Sequence, residues 1–285
     1  MVCTLCPRNC GVDRVAAKGY CKVNKLTVAL ATLHFGEEPC ISGKNGSGTI
    51  FFSGCNLRCV YCQNSEISSE VFGKQITVER LSEIFKELEN SGANNINLVT
   101  PSHYVNEIIE ALKIYKPKIP VVYNTSSYDK EETIEKISEY VDIFLADLKY
   151  YSNELAKKYS GAADYYEVAL KAIKKMRQCK KDTFNESGIM TSGVIIRHLV
   201  LPNCTEDSKK VLQSIAENFK GTLVSVMGQY TPKYRAKEFN EINRPLKPLE
   251  YKIVLNYANG LNLNGFSQDL SSCGELIPNF NLDGV

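Results

Sequence analysis

Three cysteines in CNLRCVYC, Cys55, Cys59 and Cys62, directly follow the apolar run GTIFFSG at 48–54. Three thiolates on one tight loop suit a cubane iron–sulfur cluster, which takes four ligands and would keep one iron open. Zinc is an alternative, but structural zinc sites close a four-ligand shell, and no fourth Cys or His lies close by. A buried group of inert thiols is the third reading.

A second set, Cys3, Cys6, Cys10 and Cys21, supplies four soft ligands, with Pro7, Gly11 and Gly19 to help the backbone turn. Four thiolates can close a zinc shell or hold an auxiliary iron–sulfur cluster, and either would tie down a segment too small for its own core. Cys40, in GEEPCISG, reads as a packing thiol or a spare ligand. Eight of the 11 cysteines fall by residue 62, so the N-terminal part is the metal-bearing end.

The elements that position these thiols are legible from residue 48 onward, where short apolar runs alternate with helical patterns, the signature of βαβ units on a parallel sheet. Six strands are expected: Thr49–Ser53, Asn95–Val99, Pro120–Asn124, Asp142–Ala146, Gly193–Val200 and Thr222–Met227. Amphipathic helices separate them, one carrying Leu81, Ile84, Phe85 and Leu88 on one face with a stop at Gly92. DKEETIEKISEY and TEDSKKVLQSIAENF open on Asp129 and Thr205, good N-cap residues. Six units are too few for an eight-unit barrel, so the expected fold is α/β, a partial (βα)6 TIM-like barrel open at one side.

The expected organisation is a Cys-rich metal-binding extension over 1–46, the barrel over 47–235, and a C-terminal extension over 236–285 packed on the barrel. Polar residues recur at the expected strand ends: Thr100, Ser102 and His103; Asn124, Thr125 and Ser126; Asp147 and Lys149; Arg197 and His198; Gln229 and Tyr230. Repetition over five strands points to a site on that rim. His198 alternates with Arg197 and so should face the other side of its strand.

A formal charge of +2 leaves no electrostatic footprint for nucleic acid or an anionic membrane. The lysine- and tyrosine-rich run KKYSGAADYYEVALKAIKKMRQCKK reads as a solvated helix face. No apolar run is long enough to span a bilayer, and MVCTLCPRNC lacks a leader's hydrophobic core, so a cytoplasmic location is expected.

CNLRCVYC resembles the CxxxCxxC signature of radical S-adenosylmethionine enzymes. The resemblance spans roughly 48–235 and implies a partial (βα)6 barrel. It also implies a [4Fe-4S] cluster on Cys55, Cys59 and Cys62, the catalytic centre, whose open iron is chelated by S-adenosylmethionine. An electron from a flavodoxin- or ferredoxin-type reductant would then give methionine and a hydrogen-abstracting 5′-deoxyadenosyl radical. Tyr61 occupies the position that commonly packs at the adenine.

DLK at Asp147–Lys149 resembles the strand-end motif of pyruvate formate-lyase activating enzymes, where the Asp helps bind a monovalent cation and the Lys contacts the cofactor. NTS at Asn124–Ser126 falls where those enzymes have Asp-Thr-Asn, so a charge is missing at Asn124. LVTPSHY replaces the usual Gly-Gly-Glu element, leaving Thr100, Ser102 or His103 to hold the cofactor's amino group. RHLVLP at 197–202 resembles the late-strand Arg and Pro motif, and Arg197 and His198 are its candidate contacts. The whole pattern looks like the PflX-like branch of activating-enzyme relatives. Its expected partner is a glycyl radical enzyme or, alternatively, a small molecule or peptide; a metal-binding scaffold or iron–sulfur electron carrier without turnover is a rival from another class.

Overall fold

The computed structural model of the chain describes residues 2–268 and 278–285. In chain order its elements begin with β1 (Thr27–His34), α1 (Pro39–Ser42), β2 (Ser47–Phe52), α2 (Ser65–Ser68), β3 (Lys74–Gln75) and α3 (Val78–Asn90). Then come β4 (Ile96–Val99), α4 (Val105–Ile114), β5 (Val121–Thr125), α5 (Glu131–Ser138), β6 (Ile143–Asp147), α6 (Asn153–Ser160) and α7 (Tyr165–Cys179). The chain continues through β7 (Thr183–Phe184), β8 (Met190–Leu199), α8 (Thr205–Asn218), β9 (Leu223–Met227), α9 (Pro248–Gly260) and β10 (Gly265–Ser267). Cys273 lies outside the described residues.

The six expected strands are present as β2, β4, β5, β6, β8 and β9, neighbours in that order and all parallel. Parallel strands buried on both faces read as near-continuous apolar runs, and β2, SGTIFF, is buried at every position. Alternation sends Ile50 and Phe52 into the helix-facing core while Phe51 faces the interior with Val99. The helices follow their apolar stripes: α3 buries Leu81, Ile84, Phe85 and Leu88, and the Thr77 hydroxyl caps it by accepting from the Arg80 N–H.

Four strands were not expected. β1 runs antiparallel beside β2 and carries β3 on its other side, so residues 27–34 belong to the main sheet although they lie within the expected N-terminal extension. Its side chains Val28, Ala29 and Leu30 are buried, and alternation was masked by apolar residues on both faces. β7 folds back on β8, and β10 extends the sheet beyond β9. The cap expected at Asp129 is corrected too. Its buried carboxylate accepts from the hydroxyls of Thr125 and Tyr123, and Lys130 and Cys204, without capping side chains, precede α5 and α8.

The floor of the barrel is closed by α1. Cys40 and Ile41 pack there against Val122, Ile143, Leu145 and Ile195, the lowest inward residues of β5, β6 and β8. Cys40 is thus a packing thiol. The C-terminal residues run beside β1, with Ala31 N–H donating to the Asp283 carbonyl at 2.9 Å, and Phe280 meets Phe51 edge to face at 5.5 Å. Among the described residues no helix is long and apolar enough to cross a membrane.

Ile41 is fully buried in the floor cluster. Ile41→Ala is expected to cost about 2–5 kcal/mol in urea unfolding, the range for opening a cavity in a packed core.

Candidate active site

The loop after β2 begins at Gly54, whose φ is +84° and where a methyl group would stand 2.6 Å from the Cys21 carbonyl; both demand glycine. The loop is then tied from several directions. Asn56 Nδ2 donates to the Tyr128 carbonyl at 2.7 Å, Arg58 N–H to the Ser160 carbonyl at 3.0 Å, and Val60 N–H to the Tyr159 carbonyl at 2.8 Å. The result brings Cys55, Cys59 and Cys62 to the wall of one cavity of 240 Å³.

Hydroxyls address two of the thiols: Ser160 Oγ lies 3.0 Å from Cys59 Sγ, and Ser68 Oγ lies 3.2 Å from Cys62 Sγ. Burial, then the neighbouring Cys59, push the Cys55 thiol up to about 12. The same two causes push Cys62 to about 11. Three half-buried thiols on one loop repel one another as thiolates, so a cationic metal centre is what would let all three ionise together. Among the described residues no three metal-binding side chains are arranged to hold a single ion. Thiolates that each meet a different iron of a cubane need no common point, so this donor set fits a cluster better than zinc.

Across the cavity stand Thr100, Asn124, Thr125, Ser126, Asp147, Lys149, Arg197 and Gln229. Arg197 organises them. Its Nε donates to Asp147 Oδ1 at 2.9 Å, its Nη1 to Glu37 Oε2 at 3.1 Å, and its Nη2 to Asn124 Oδ1. Lys149 Nζ donates to the other Asp147 oxygen at 2.6 Å, and Glu37 Oε1 accepts from Asn97 at 3.0 Å and Asn124 at 3.2 Å. Burial opposes the charge on Asp147, but the Arg197 and Lys149 charges outweigh it and hold the carboxyl below its ordinary range. Glu38 goes the other way: burial raises it despite the Arg197 charge, and its Oε2 is 4.0 Å from Arg197 Nη1.

Glu37 and Glu38 were not found in the sequence. They enter through the turn before α1, where GEEPC shows no periodicity that would aim acids into a barrel. Glu37 supplies beside Asn124 the carboxylate that the NTS motif lacks. The expectation of a cation near Asp147 meets an Arg197 guanidinium bridging Asp147 and Asn124. Thr100 was proposed from its position alone. It adopts φ +60°, uncommon for a β-branched residue, with its N–H held by the Asn124 carbonyl at 2.9 Å.

Other expected residues do not line this cavity. Tyr61 faces an adjoining cavity of 230 Å³ with Tyr230, Lys149 and Arg197, and its hydroxyl bonds that of Tyr150. Ser102 meets Thr125 at 3.4 Å behind the rim. His103 Nε2 lies 2.9 Å from the Ser53 carbonyl. His198 faces the helix layer, as alternation required, with Nδ1 2.8 Å from the Leu148 carbonyl and Nε2 2.9 Å from Ser208 Oγ. The placement of Ser102, His103 and His198 therefore makes them supports of the strand ends, not cavity contacts, because their neighbours in the strand or turn take the inward direction.

Burial lowers His198 from its ordinary 6.5 to about 4. The unfolded chain therefore binds a proton that the folded chain refuses between those values, and stability should fall as pH drops from 6.5 towards 4. The loss is on the order of 1 kcal/mol per pH unit for this residue; burial lowers His103 to about 4 as well, so His198→Gln should lessen the slope in urea titrations across that window without abolishing it.

Residues 49–215 match the model of the Radical SAM superfamily. The uncharacterized protein MJ0674 of Methanocaldococcus jannaschii is 34% identical over 275 residues, 92% of this chain and 75% of that protein. The pyruvate formate-lyase-activating enzyme of Clostridium pasteurianum is 26% identical over 191 residues, covering 63% of this chain and 72% of that enzyme. Among solved structures, SuiB of Streptococcus suis superposes with a TM-score of 0.53 at 14% identity, over 76% of this chain. The match spans 47% of SuiB's length, and at that identity it speaks for the fold alone.

Proposed function

The chain belongs to the radical SAM superfamily, and from that premise we propose that it is a hydrogen-abstracting enzyme with a [4Fe-4S] cluster on Cys55, Cys59 and Cys62 and S-adenosylmethionine in the adjoining cavity. The observation that carries this reading is the convergence of three thiols and the Lys149, Asp147 and Arg197 charges on one cavity at the strands' C-terminal ends. When bound, the cluster supplies the electron for reductive cleavage of S-adenosylmethionine to methionine and a 5′-deoxyadenosyl radical.

The chain's own residues have separable tasks in this reading. Lys149 offers an ammonium beside the thiols to a ligand carboxylate. Asp147 holds that ammonium in place while Arg197 fixes Asp147 from below. Thr100, Ser126 and Gln229 offer polar contacts around the rim, and Phe51, Val99 and Pro278 form an apolar wall that excludes water. Ser160 and Ser68 direct hydroxyls at Cys59 and Cys62, where donation to sulfur favours the reduced state.

The subclass best supported is an activase that installs a glycyl radical on a protein partner. Its support is the 26% identity to an activating enzyme and, among the described residues, a sheet whose ends, β3 and β10, do not pair with each other, a side at which a peptide loop would enter.

Anaerobic reconstitution, reduction and addition of S-adenosylmethionine should yield 5′-deoxyadenosine from the wild type and none from Cys59→Ala; a silent wild type with an intact cluster overturns the enzyme reading. A glycyl radical doublet in electron paramagnetic resonance, raised on a glycyl radical enzyme of the same organism, tests the subclass. Ser160→Ala should lower the cluster's midpoint potential by on the order of tens of millivolts, read by redox titration.

A further inference from the structure

Residues 2–22 make no helix, and their β-structure is a single bridge between Val2 and Asp13. Only two side chains in this stretch are buried, and both are cysteines, Cys6 and Cys21. Hydrophobic burial therefore cannot hold the knot together, and segments of this size stay folded through disulfides or metal. Cys3, Cys6, Cys10 and Cys21 are free thiols.

The four thiols are neighbours in one knot. A methyl group at Gly19 would stand 3.0 Å from Cys10 Sγ and 3.6 Å from Cys21 Sγ; Cys6 feels the charges of Cys3 and Cys21, and Cys21 those of Cys3 and Cys10. Among the described residues no three metal-binding side chains close on one point, so, as at Cys55, Cys59 and Cys62, thiolates that each meet a different iron fit this donor set better than a single zinc ion. Arg14, paired through Nη1 with Glu107 at 3.7 Å, stands beside Cys21, where its charge favours the thiolate, and its buried Nε and Nη2 have no acceptor.

The knot also grips the catalytic loop from outside. Arg8 Nε donates to the Asn56 carbonyl at 2.8 Å, Arg58 Nη2 donates to the Tyr20 carbonyl at 2.7 Å, and the Cys21 carbonyl abuts Gly54. Tyr20 is sandwiched by Arg8 and Arg58, 4.1 and 4.4 Å from its ring centre.

We propose that Cys3, Cys6, Cys10 and Cys21 form a four-thiolate centre for an iron–sulfur cluster that holds the loop carrying Cys55, Cys59 and Cys62 in place. It is independent of the catalytic cluster, so it is tested in a Cys55→Ala/Cys59→Ala/Cys62→Ala chain purified without oxygen and passed through chelator. About four irons per chain supports the centre, and about one zinc per chain in their place overturns its filling by a cluster. Metal at trace level overturns it, as does metal that persists when the four N-terminal cysteines are also replaced.

For the holding role, Cys10→Ser, at the most exposed ligand, is compared with the wild-type holoprotein by hydrogen exchange. Amides of residues 54–62 should exchange at least tenfold faster while those of β8 and β9 are unchanged. Metal loss with no change in 54–62 overturns the holding role and leaves the metal centre standing.

Discussion

The Arg197 guanidinium inside the barrel is the interaction on which the rest of the site depends. A buried cation is tolerated only when paired and hydrogen-bonded, and removing one member of such a set typically costs about 3–5 kcal/mol. Arg197 meets that demand with Asp147 from β6, Asn124 from β5 and Glu37 from the turn before α1. Four separate pieces of chain are thereby fixed at one level of the barrel. Glu37 and Asp147 set two carboxylates against the Arg197 and Lys149 charges, and the buried Glu38, 4.0 Å from Arg197, stands beside them.

That level divides the barrel. Below it, Cys40 and Ile41 seal an apolar floor with Val122, Ile143 and Leu145. Above it, Lys149 and the three thiols share the cavity wall. The floor keeps solvent from the charges, and the charges orient Lys149 toward the mouth. The strained Thr100 and the glycine-dependent approach of Gly54 to Cys21 belong to this upper level, where backbone is spent on position rather than stability.

The parallel strands were legible because burial on both faces leaves continuous apolar runs, and the amphipathic helices because of their 3.6-residue period. β1 was not, since TVALATLH sits among cysteines and turns and has apolar side chains on both faces. Asp129 read as a helix cap from local chemistry, but a buried Thr125 and Tyr123 offered its carboxylate better partners. His198 was separable from Arg197 by alternation alone. Ser102 and His103 were not separable from Thr100, because a turn has no fixed period to say which side chain points inward.

The sequence by itself determined the order of the six parallel strands and the amphipathic helices between them, the three thiols at the end of the first parallel strand, and the side of the strand on which Arg197 falls. Each is a local property, set by residue spacing along one element. Only the tertiary structure decided what meets Arg197, because Glu37 lies 160 positions away and reaches it only once β1 and α1 close the barrel from below. The same is true of Ser160 at Cys59 and of Cys21 at Gly54. Contacts between distant segments depend on how the sheet curls, and no short stretch of chain encodes that curvature.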